Sequence, residues 1–465
     1  MSHDSSIDRV AAELRRLVAV RPPGAALPSS REIGGRLGVG PVTVSRAVGR
    51  LVAEGVVVTE PGRGTFVARR TAPHPGTAAD FCWQTVALAD RAVDASAMVR
   101  QLSAPRPGMI SLVGGYLDPA LLPTRALADM VCRAARRPGG WDRPPTSGLP
   151  ALRAVFADLI GVQPADVVIV PGGQGGLSTT LRALVPPGAP ILVESPTYMG
   201  LLALARAADL RVIPVPADRH GIRPDLLAEA LTLSGARLVY CQPSFANPTG
   251  SLMPPERRAE VLAAVRAAGA FLIEDDTARL LPLDADPPPP MIADDPDGHV
   301  VHLLSLTKVA APSLRIGALA ARGPAASRLR ALRLLDDFYV PQPLQEAAVE
   351  LLGSPAWGRH RAALRRELTA RRDALLTALA RYAPQVSVAD PPHGGVHLWC
   401  RLPDGCDEAE LTRRAELRGV LVGAGAEYHA TEPPAPHLRL TYCAEPVDRL
   451  ARGVQLLGET LVETG

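Results

Sequence analysis

The stretch SLTKVAAPSLRIG, residues 305–317, contains Lys308, the only lysine in a chain of 465 residues. The composition counts 50 lysines and arginines together, so every other fixed positive charge is an arginine. Arginine stays protonated in proteins, whereas a buried lysine shifts its pKa readily and forms imines with carbonyl compounds. Two interpretations are open at this point: Lys308 is a leftover surface lysine, or it is a reactive amine. The neighbouring sequence has to decide between them.

The bulk composition is that of a globular protein of two or three domains, since 465 residues exceed what one core holds. Hydrophobic residues make up 47% of the chain, but no uninterrupted apolar run approaches 18 residues and no signal peptide is visible. We therefore expect no membrane association and a cytoplasmic location. The six cysteines are scattered without a CxxC pair, so we expect neither disulfides nor a metal site.

The positive charge is concentrated at the N-terminus. Residues 1–70 contain eleven arginines against six acidic residues, a net charge of +5, whereas the whole chain carries only +3. The remainder is thus slightly acidic. A small basic module on a near-neutral body predicts a nucleic-acid contact at one end.

The same seventy residues predict three helices and a hairpin. Residues 10–19 have an apolar helical period, Ser29 and Glu32 have the spacing of a capping box, and Pro41 suits the first turn of a third helix. Residues 56–68, VVVTEPGRGTFVA, are two β-runs around a glycine-rich turn. This order predicts a winged helix-turn-helix whose third helix enters the DNA major groove. The alternative is a small helical oligomerisation module.

The N-terminal stretch resembles the GntR-type DNA-binding domain, through LPSSREIGGRLGV at residues 27–39 and GRGTFV at residues 62–67. It departs from that family in the reading helix, where Pro41, Val42 and Ser45 stand in place of basic or amide residues. The resemblance implies DNA contacts from Arg31, Thr43, Arg46, Arg50 and Arg63.

A joint follows over residues 71–107. Its first part belongs to RRTAPHPGTAAD, residues 69–80, which is rich in proline, glycine and alanine and predicts a tether. Residues 81–102, FCWQTVALADRAVDASAMVRQL, predict a helical segment before the next domain.

From residue 108 onward, short apolar runs alternate with amphipathic helices. This pattern predicts a mostly parallel sheet covered by helices on both faces. In such sheets, ligands gather at the carboxyl ends of the strands. The runs are ADVVIVPGG (165–173), PILVESPTY (190–198), ARLVYCQPS (236–244), AFLIEDDTA (270–278) and HVVHLLSLT (299–307).

Each of these runs ends in residues that carry chemistry. Gly172 and Gly173 open a helix and suit a phosphate cradle. Tyr198 supplies an aromatic ring at the next strand end, and Asp275 supplies a carboxylate further along. Together with the amine of Lys308, these are the groups needed to hold pyridoxal phosphate: an imine-forming amine, a partner for the ring nitrogen and a phosphate site. This constellation favours the reactive-amine interpretation.

Residues 108–460 resemble the class I/II, fold-type I aminotransferases. The resemblance implies an α/β fold-type I PLP-dependent transferase domain, comprising a large domain at 108–340 and a small α+β domain at 341–465. It makes Lys308 the imine-forming, catalytic residue. By the same resemblance, Asp275 pairs with the ring nitrogen, Asn247 contacts the 3-oxygen, Tyr198 stacks on the ring, Gly172, Gly173, Gln174, Ser305, Thr307 and Arg315 bind the phosphate, and Arg439, in PHLRLTYC, grips a substrate carboxylate.

Two departures from the aminotransferase pattern concern tyrosines. The residue after Asp275-Asp276 is Thr277, where family members often have a tyrosine that meets the ring oxygen. Residues 139–153, GGWDRPPTSGLPALR, contain no tyrosine to reach a partner's phosphate site. The departures imply a site that binds cofactor but turns over slowly. For Arg439 itself, the alternative is a surface arginine on a strand.

The two modules together resemble the MocR/GabR-type transcriptional regulators. The resemblance implies a homodimer that binds promoter DNA in its N-terminal module, residues 1–70. The aminotransferase-like domain would sense an amine, an amino acid or vitamin B6. The rival interpretation is an active aminotransferase that acts on an amino acid and a 2-oxo acid and carries a DNA-binding arm.

Overall fold

The computed structural model describes residues 3–60, 63–68, 81–88 and 94–464. The predicted tether at residues 69–80 lies outside the described residues. By its internal contacts the chain divides into two compact units, Met1–Asp90 and Arg91–Gly465.

The first unit contains the predicted winged helix-turn-helix. Its elements are α1 (His3–Ala19), α2 (Ser30–Leu37), α3 (Pro41–Ala53), β1 (Val57–Glu60), β2 (Gly64–Val67) and α4 (Cys82–Ala87). The strands β1 and β2 pair antiparallel as the wing, with Val57 opposite Val67. The apolar faces of the three long helices and the wing meet in one small core, which includes Val10, Leu14, Val44, Leu51 and Val57.

The turn between α2 and α3 is fixed by its end residues. The side chain of Ser29 accepts a hydrogen bond from the backbone N–H of Glu32, and the Glu32 carboxylate accepts one from the backbone of Ser29, so the predicted capping box is present. Gly38 ends α2 with a left-handed φ of 61°. A Cβ on Gly34 would lie 2.9 Å from the carbonyl oxygen of Val39, so the close return of the chain requires glycine there.

The first helix of the second unit is α5 (Ser96–Leu102). Within residues 81–102, which were expected to be helical, the described residues contain two short helices, α4 and α5. The strands of the second unit are β3 (Ile110–Ser111), β4 (Val167–Val170), β5 (Pro190–Ser195), β6 (Arg211–Asp218), β7 (Gly221–Ile222), β8 (Leu238–Cys241), β9 (Phe271–Asp275), β10 (Val300–Ser305), β11 (Gly317–Ala320), β12 (His397–Arg401), β13 (Val420–Leu421), β14 (Gly423–Ala424) and β15 (His437–Thr441). Its longer helices are α6 (Thr124–Arg136), α7 (Pro150–Ile160), α8 (Gly172–Leu184), α9 (Met199–Ala207), α10 (Pro224–Ser234), α11 (Pro255–Ala267), α12 (Gly323–Asp337), α13 (Gln342–Leu352), α14 (Pro355–Tyr382), α15 (Glu408–Leu417) and α16 (Val447–Thr464).

Eight strands form the main sheet in the order β4-β11-β10-β9-β8-β5-β6-β7. Neighbours from β10 through β6 pair parallel, whereas β11 pairs antiparallel with both β10 and β4. Because β5, β8, β9 and β10 run the same way, their carboxyl ends meet at one edge of the sheet. The residues that follow these strands are thereby brought together.

Alternate residues of each central strand enter separate hydrophobic clusters on the two faces of the sheet. In β8, Val239 and Cys241 belong to one cluster, and Leu238 and Tyr240 belong to the other. All four side chains are buried, because helices cover both faces. This explains why the strand reads as a continuous apolar run.

The C-terminal part contributes a smaller antiparallel sheet, in the order β12-β15-β14. The long helix α14 packs against α16 beside it. Residues of β3, which the sequence grouped with the large domain, pair parallel with β13, Ile110 opposite Val420. Among the residues that the structure describes, no helix combines the length and the apolar character needed to cross a bilayer.

We predict that Ser29→Ala destabilises α2 by about 1 kcal/mol, because it removes the side-chain acceptor at the helix N-terminus. Hydrogen exchange of the α2 amides in the full chain measures this change, and the expected result is faster exchange there. Ser45→Ala, on the exposed face of α3, is the control and should leave exchange unchanged. Equal exchange rates in α2 for both variants would contradict the capping role.

Candidate functional site

One pocket at the carboxyl edge of the main sheet collects the residues singled out from the sequence. Nine of the ten predicted cofactor residues line it: Gly173, Gln174, Tyr198, Asn247, Asp275, Ser305, Thr307, Lys308 and Arg315. Gly172 lies directly behind, against the guanidinium of Arg315. The residues come from five separate strand ends, and the sheet brings them together. Their individual contacts with a cofactor stay predictions.

Lys308 faces this pocket and not the surface. Its Nζ donates a hydrogen bond to the carbonyl oxygen of Gly115 at 2.8 Å and lies 4.9 Å from the ring centroid of Tyr116. Burial, helped by the nearby charge of Arg439, lowers the pKa of Lys308 to about 8. A substantial fraction of the amine is therefore neutral near physiological pH, which is the nucleophilic form.

Gly115 gives the amine its space. A Cβ at this position would lie 2.6 Å from the Nζ of Lys308 and 3.2 Å from Cε1 of His397. His397 is buried, and the half-buried amine of Lys308 would have to move to admit a Cβ. Glycine at position 115 therefore leaves the amine the space that it occupies beside the Gly115 carbonyl oxygen.

Asp275, at the end of β9, is almost fully buried. Its Oδ2 accepts hydrogen bonds from the hydroxyl of Tyr240 at 2.6 Å and from Nε2 of Gln242 at 3.1 Å, and its Oδ1 accepts one from the backbone N–H of Thr277 at 3.4 Å. Burial raises the pKa of Asp275, and these hydrogen bonds oppose that rise. A cationic ring nitrogen placed against this carboxylate would supply the missing opposite charge.

The opposite end of the pocket suits an anion. The N-terminus of α8 begins at Gly172, whose φ of 78° and closeness to Arg315 both require glycine: a Cβ there would lie 2.7 Å from the guanidinium. Arg315 is itself left-handed, with φ 50°, and donates to the carbonyl oxygen of Pro171 at 2.6 Å. The hydroxyls of Ser305 and Thr307 lie 3.0 Å apart beside it. A helix N-terminus, hydroxyls and one arginine are the usual ligands of a phosphate.

Between these ends, the side chains of the pocket support one another. The hydroxyl of Tyr198 donates to Oε1 of Gln174 at 3.0 Å. The backbone N–H of Asn247 donates to Oε1 of Gln242 at 3.0 Å, and its Oδ1 accepts from Arg439 at 3.0 Å. Asn247 therefore connects the cofactor pocket to the arginine.

Arg439 on β15 is only 1% exposed, so its interpretation as a surface strand arginine is wrong. Its guanidinium donates to Asn247, to the carbonyl oxygen of Val113 and to Oε1 of Gln101, and stands 5.0 Å from the ring centroid of Tyr428. Among the described residues, no carboxylate pairs with it. A buried guanidinium whose partners are all neutral is suited to binding a carboxylate, and this role of Arg439 stays a prediction.

Several residues of the site were not found from the sequence. His397 is buried on β12, with its Nε2 3.4 Å from Arg439 and no partner for its Nδ1 among the described residues. Burial and the charges of Arg439 and Lys308 hold the pKa of His397 well below its usual value. Gln242 and Gln101 stood inside stretches already quoted from the sequence, residues 236–244 and 81–102. His397 and Tyr116 come from segments that were not singled out.

Of the two predicted tyrosine departures, Thr277 lies at the pocket, whereas residues 139–153 contribute none of its lining. Thr277 lines it, and a Cβ on Gly173 would lie 3.1 Å from its methyl group. Trp141, in the stretch where a tyrosine was expected, has its side chain 76% exposed. Hydroxyls reach the site from Tyr198 and Tyr240 instead.

Behind the pocket lies a second cluster of titratable groups. Glu274, Asp276 and His302 present their ligand atoms within 4.8 Å of one another. The Glu274 carboxylate already accepts hydrogen bonds from the backbone of Met291 at 2.8 Å and from Nδ1 of His302 at 2.9 Å, and Asp276 pairs with Arg279 at 3.0 Å. These partners give the cluster a structural role in fixing the chain around residue 291.

In the first unit, α3 offers an exposed basic face. Arg46 on α3 and Arg31 on α2 are exposed, and neither has an ion pair with any residue that the structure describes. Arg50 is exposed but bonded to Asp8 at 2.8 Å, and Arg63 pairs with Glu60. Such surface pairs are weak, so a DNA phosphate can displace them.

Thr43 lies on the packed side of α3 and not on that exposed face, and its expected DNA contact stays a prediction. Its side chain is 9% exposed because position 43 lies four residues before the buried Ala47 and shares its side of the helix. Val42 is 67% exposed instead, and an apolar side chain there suits contact with a thymine methyl group.

Comparison with known proteins gives matches for both units. Residues 122–457 match the family model for aminotransferase class I and II, and residues 6–67 match that for bacterial regulatory proteins of the gntR family. The HTH-type pyridoxine biosynthesis transcriptional regulator PdxR of Corynebacterium glutamicum is 32% identical over 86% of this chain and 85% of its own. An uncharacterized HTH-type transcriptional regulator of Escherichia coli, YdcR, is 28% identical over 98% of each chain.

A solved structure resembles the second unit. The α-aminoadipate aminotransferase LysN of Thermus thermophilus, complexed with N-(5'-phosphopyridoxyl)-L-leucine, superposes with a TM-score of 0.76 and 31% identity, covering 82% of this chain and 98% of its own. Its ligand joins the pyridoxal phosphate skeleton to an amino acid. The pocket described above has an amine, a carboxylate and a phosphate cradle that fit pyridoxal phosphate, which is the cofactor of this fold family.

We predict that apo-protein takes up pyridoxal phosphate covalently only through Lys308. Because the pKa of this amine is about 8, the uptake rate should rise with pH through that value, well below the range of an exposed lysine. Borohydride followed by peptide mapping measures the attachment site, and visible absorption measures the rate. Lys308→Ala should give no reduced adduct apart from one at the N-terminal amine, and an internal adduct in that variant would contradict the assignment.

Proposed function

Since the chain belongs to the aminotransferase class I and II family and carries a gntR-family regulatory module before it, we propose that it is a pyridoxal-phosphate-dependent DNA-binding transcriptional regulator. Its second unit senses an amine, an amino acid or vitamin B6. Its first unit binds promoter DNA. Full-length similarity to HTH-type transcriptional regulators supports this proposal over an enzyme with an accessory arm.

The observation that carries the proposal is the buried Arg439 beside the Lys308 pocket. A guanidinium withdrawn from water without a carboxylate partner is costly, and it is retained where a ligand supplies the opposite charge. Arg439 and Lys308 line one small cavity together. A molecule with an amine and a carboxylate can engage both.

Pyridoxal phosphate supplies an aldehyde carbon that accepts amines and a ring that withdraws electrons when its nitrogen is protonated. The residues of the chain position it. Asp275 would hold the charge opposite the ring nitrogen, and Ser305, Thr307 and Arg315 would hold the phosphate. Tyr198 would stack on the ring, and Asn247 would contact its 3-oxygen.

Sensing requires that the effector bind one arrangement of the protein better than another. A carboxylate that reaches Arg439 changes the hydrogen-bond partners of Asn247 and Gln101. The arrangement with these side chains released is then favoured. The affinity for DNA then changes, provided that this arrangement places the first unit differently for contact with DNA.

The chemistry of the site defines three effector classes. An amino acid uses both Lys308-bound cofactor and Arg439, a simple amine uses only the cofactor, and pyridoxal phosphate itself acts by filling the pocket. The name of the Corynebacterium relative links that protein to pyridoxine biosynthesis. A response to the cofactor alone is therefore one arm of the test below.

An active aminotransferase is the second candidate. The observation in its favour is that Asp275 is held in place by hydrogen bonds from Tyr240 and Gln242. In this position its carboxylate would keep the ring nitrogen protonated. Thr277 in place of a tyrosine argues for slow turnover. Both functions use the same pocket, so turnover and DNA response have to be measured on the same protein.

Homodimerisation and a cytoplasmic location complete the proposal. A two-fold dimer presents two winged helices, so we expect a promoter site with two half-sites at whole-turn spacing. A protein that binds chromosomal DNA in bacteria acts in the cytoplasm.

Arg46→Ala and Arg31→Ala should each weaken binding to the DNA upstream of the protein's own gene. Each lost phosphate contact reduces the slope of log affinity against log salt by about 1. Arg16→Ala, on α1 and ion-paired with Glu13, removes the same charge and is the matched control. Mobility shifts at several salt concentrations measure the slopes; identical slopes for all three variants would remove these arginines from the interface.

Arg439→Leu should abolish the response of DNA affinity to amino acids and leave the response to pyridoxal phosphate intact. In the unchanged protein we expect an effector to shift DNA affinity by about 5–150-fold, the usual size of coupling between sites. Visible absorption verifies that the variant still binds cofactor. Arg439→Lys keeps the charge but loses the planar guanidinium. Its DNA-affinity response to amino acids is expected to lie between those of the unchanged protein and Arg439→Leu.

If the protein is an active aminotransferase, we expect turnover and no effect of ligands on DNA binding. Sustained transamination at about 1–1000 turnovers per second, the ordinary range for enzymes, without any ligand effect on DNA binding would replace the regulator proposal. The same assay series therefore decides between the two functions.

A further inference from the structure

The short helix α5 places one side chain on the carboxylate site. Oε1 of Gln101 accepts a hydrogen bond from Arg439 at 3.1 Å, and its Nε2 donates to the hydroxyl of Tyr428 and approaches Sδ of Met199 at 3.0 Å. The amide oxygen thus occupies a donor of the guanidinium that is buried without a carboxylate partner among the described residues. It stands where one oxygen of a ligand carboxylate would bind.

Polar anchors hold α5 in place. None of its residues is buried, and Val99 and Leu102 are 60% and 55% exposed. Beside the Gln101 contacts, Arg100 forms an ion pair with Glu427 at 2.6 Å. With so little apolar burial, the position of α5 depends strongly on these two side chains.

The same helix closes the cavity between the amine and the guanidinium. Met98, Gln101 and Leu102 of α5 line this cavity together with Lys308 and Arg439. A ligand that spans from the cofactor to Arg439 therefore meets α5. It cannot form two hydrogen bonds with the guanidinium until Gln101 leaves.

We propose that Gln101 is an internal plug of the Arg439 site, which a ligand carboxylate displaces, releasing α5. The displacement is favourable because a carboxylate–guanidinium hydrogen bond is charge-assisted on both sides, roughly twice as strong as one between neutral groups. The inference rests on the proposed function in taking the Arg439 ligand to be the effector. It adds the element through which binding is passed on.

The position of α5 in the chain makes it suited to this role. It is the first helix of the second unit, and the first unit ends only a few residues before it. When α5 is released, the chain that leads to the DNA-binding module is no longer anchored at this helix. A ligand without a carboxylate leaves Gln101 on Arg439 and does not drive this release.

Two substitutions at one position test the plug. Gln101→Met keeps the length of the side chain and removes the amide oxygen and nitrogen. The Arg439 N–H that donated to Gln101 is then free, and carboxylate ligands should bind more tightly. Gln101→Glu places a charged oxygen on Arg439, so the same ligands should bind more weakly. We expect about tenfold in each direction, which corresponds to 1.4 kcal/mol.

The probes are L-leucine and L-phenylalanine, each compared with the amine that lacks its carboxylate: 3-methylbutan-1-amine and 2-phenylethan-1-amine. Titrations of the full-length holoprotein are followed by the visible absorption of the cofactor. The readout is the ratio of the midpoint for each amino acid to that for its matched amine. Gln455→Met makes the same substitution on α16, where the amide bonds Glu459, and is the control, with an unchanged ratio expected.

Hydrogen exchange over residues 96–102 gives a second readout. L-leucine should increase exchange there in the unchanged protein, and the amine should not. Gln101→Met should show the faster exchange without any ligand. The two variants shifting the ratio in opposite directions, with this exchange pattern, would support the plug.

The plug is overturned if the ratio is the same in the unchanged protein, Gln101→Met and Gln101→Glu, or if none of the three responds to either amino acid. Its failure is distinguishable from failure of the regulator proposal because these titrations contain no DNA. Ratios that shift as expected without an effect of leucine on DNA affinity would preserve the plug and contradict its regulatory consequence. An effect of leucine on DNA affinity with unshifted ratios would contradict the plug and leave the regulator proposal intact.

Discussion

Asp275 and Arg439 are buried and Lys308 is half-buried in one region, and no described residue forms an ion pair with any of them. Removing an ionisable group from water is costly unless an opposite charge is beside it. Neutral donors and acceptors hold all three: Gly115 for the amine, Tyr240 and Gln242 for the carboxylate, and backbone and amide oxygens for the guanidinium. The pocket is complete electrostatically only when a ligand supplies the opposite charges, and this constraint orders the rest of the site.

The architecture meets the constraint by combining three parts of the chain. The parallel strands bring the residues after β5, β8, β9 and β10 to one edge. The small antiparallel sheet adds His397 and Arg439 from β12 and β15. The helix α5 adds Gln101 from the start of the second unit. A rigid sheet is needed because each of these hydrogen bonds tolerates only a few tenths of an ångström of displacement.

A regulator and a catalyst place different demands on the same pocket. Catalysis needs interactions that are stronger in the transition state than in the bound state, whereas regulation needs a difference in affinity between two arrangements of the protein. A side chain such as Gln101, which competes with a ligand for Arg439, lowers ligand affinity but makes binding change the structure. Thr277 in place of a tyrosine argues against rapid catalysis but leaves the cofactor site in place.

The sequence by itself determined the features that depend on near neighbours in the chain. The capping box at Ser29 and Glu32, the hairpin of the wing, and the apolar runs followed by Gly172, Tyr198, Asp275 and Lys308 all follow from local spacing, because turns, caps and strand ends are formed by residues close in sequence. The resemblance to known families added the role of Arg439.

Only the tertiary structure decided which distant side chains complete these features. Gln101 reaches Arg439 across 338 positions and Lys308 reaches Gly115 across 193, and no periodicity in the sequence encodes such pairs. The burial of Thr43 likewise depended on the width of the packed face of α3, which α1 and the wing set together. Long-range contacts are fixed by how the whole sheet and its helices pack, and that is why the plug on Arg439 could not be found before the fold was known.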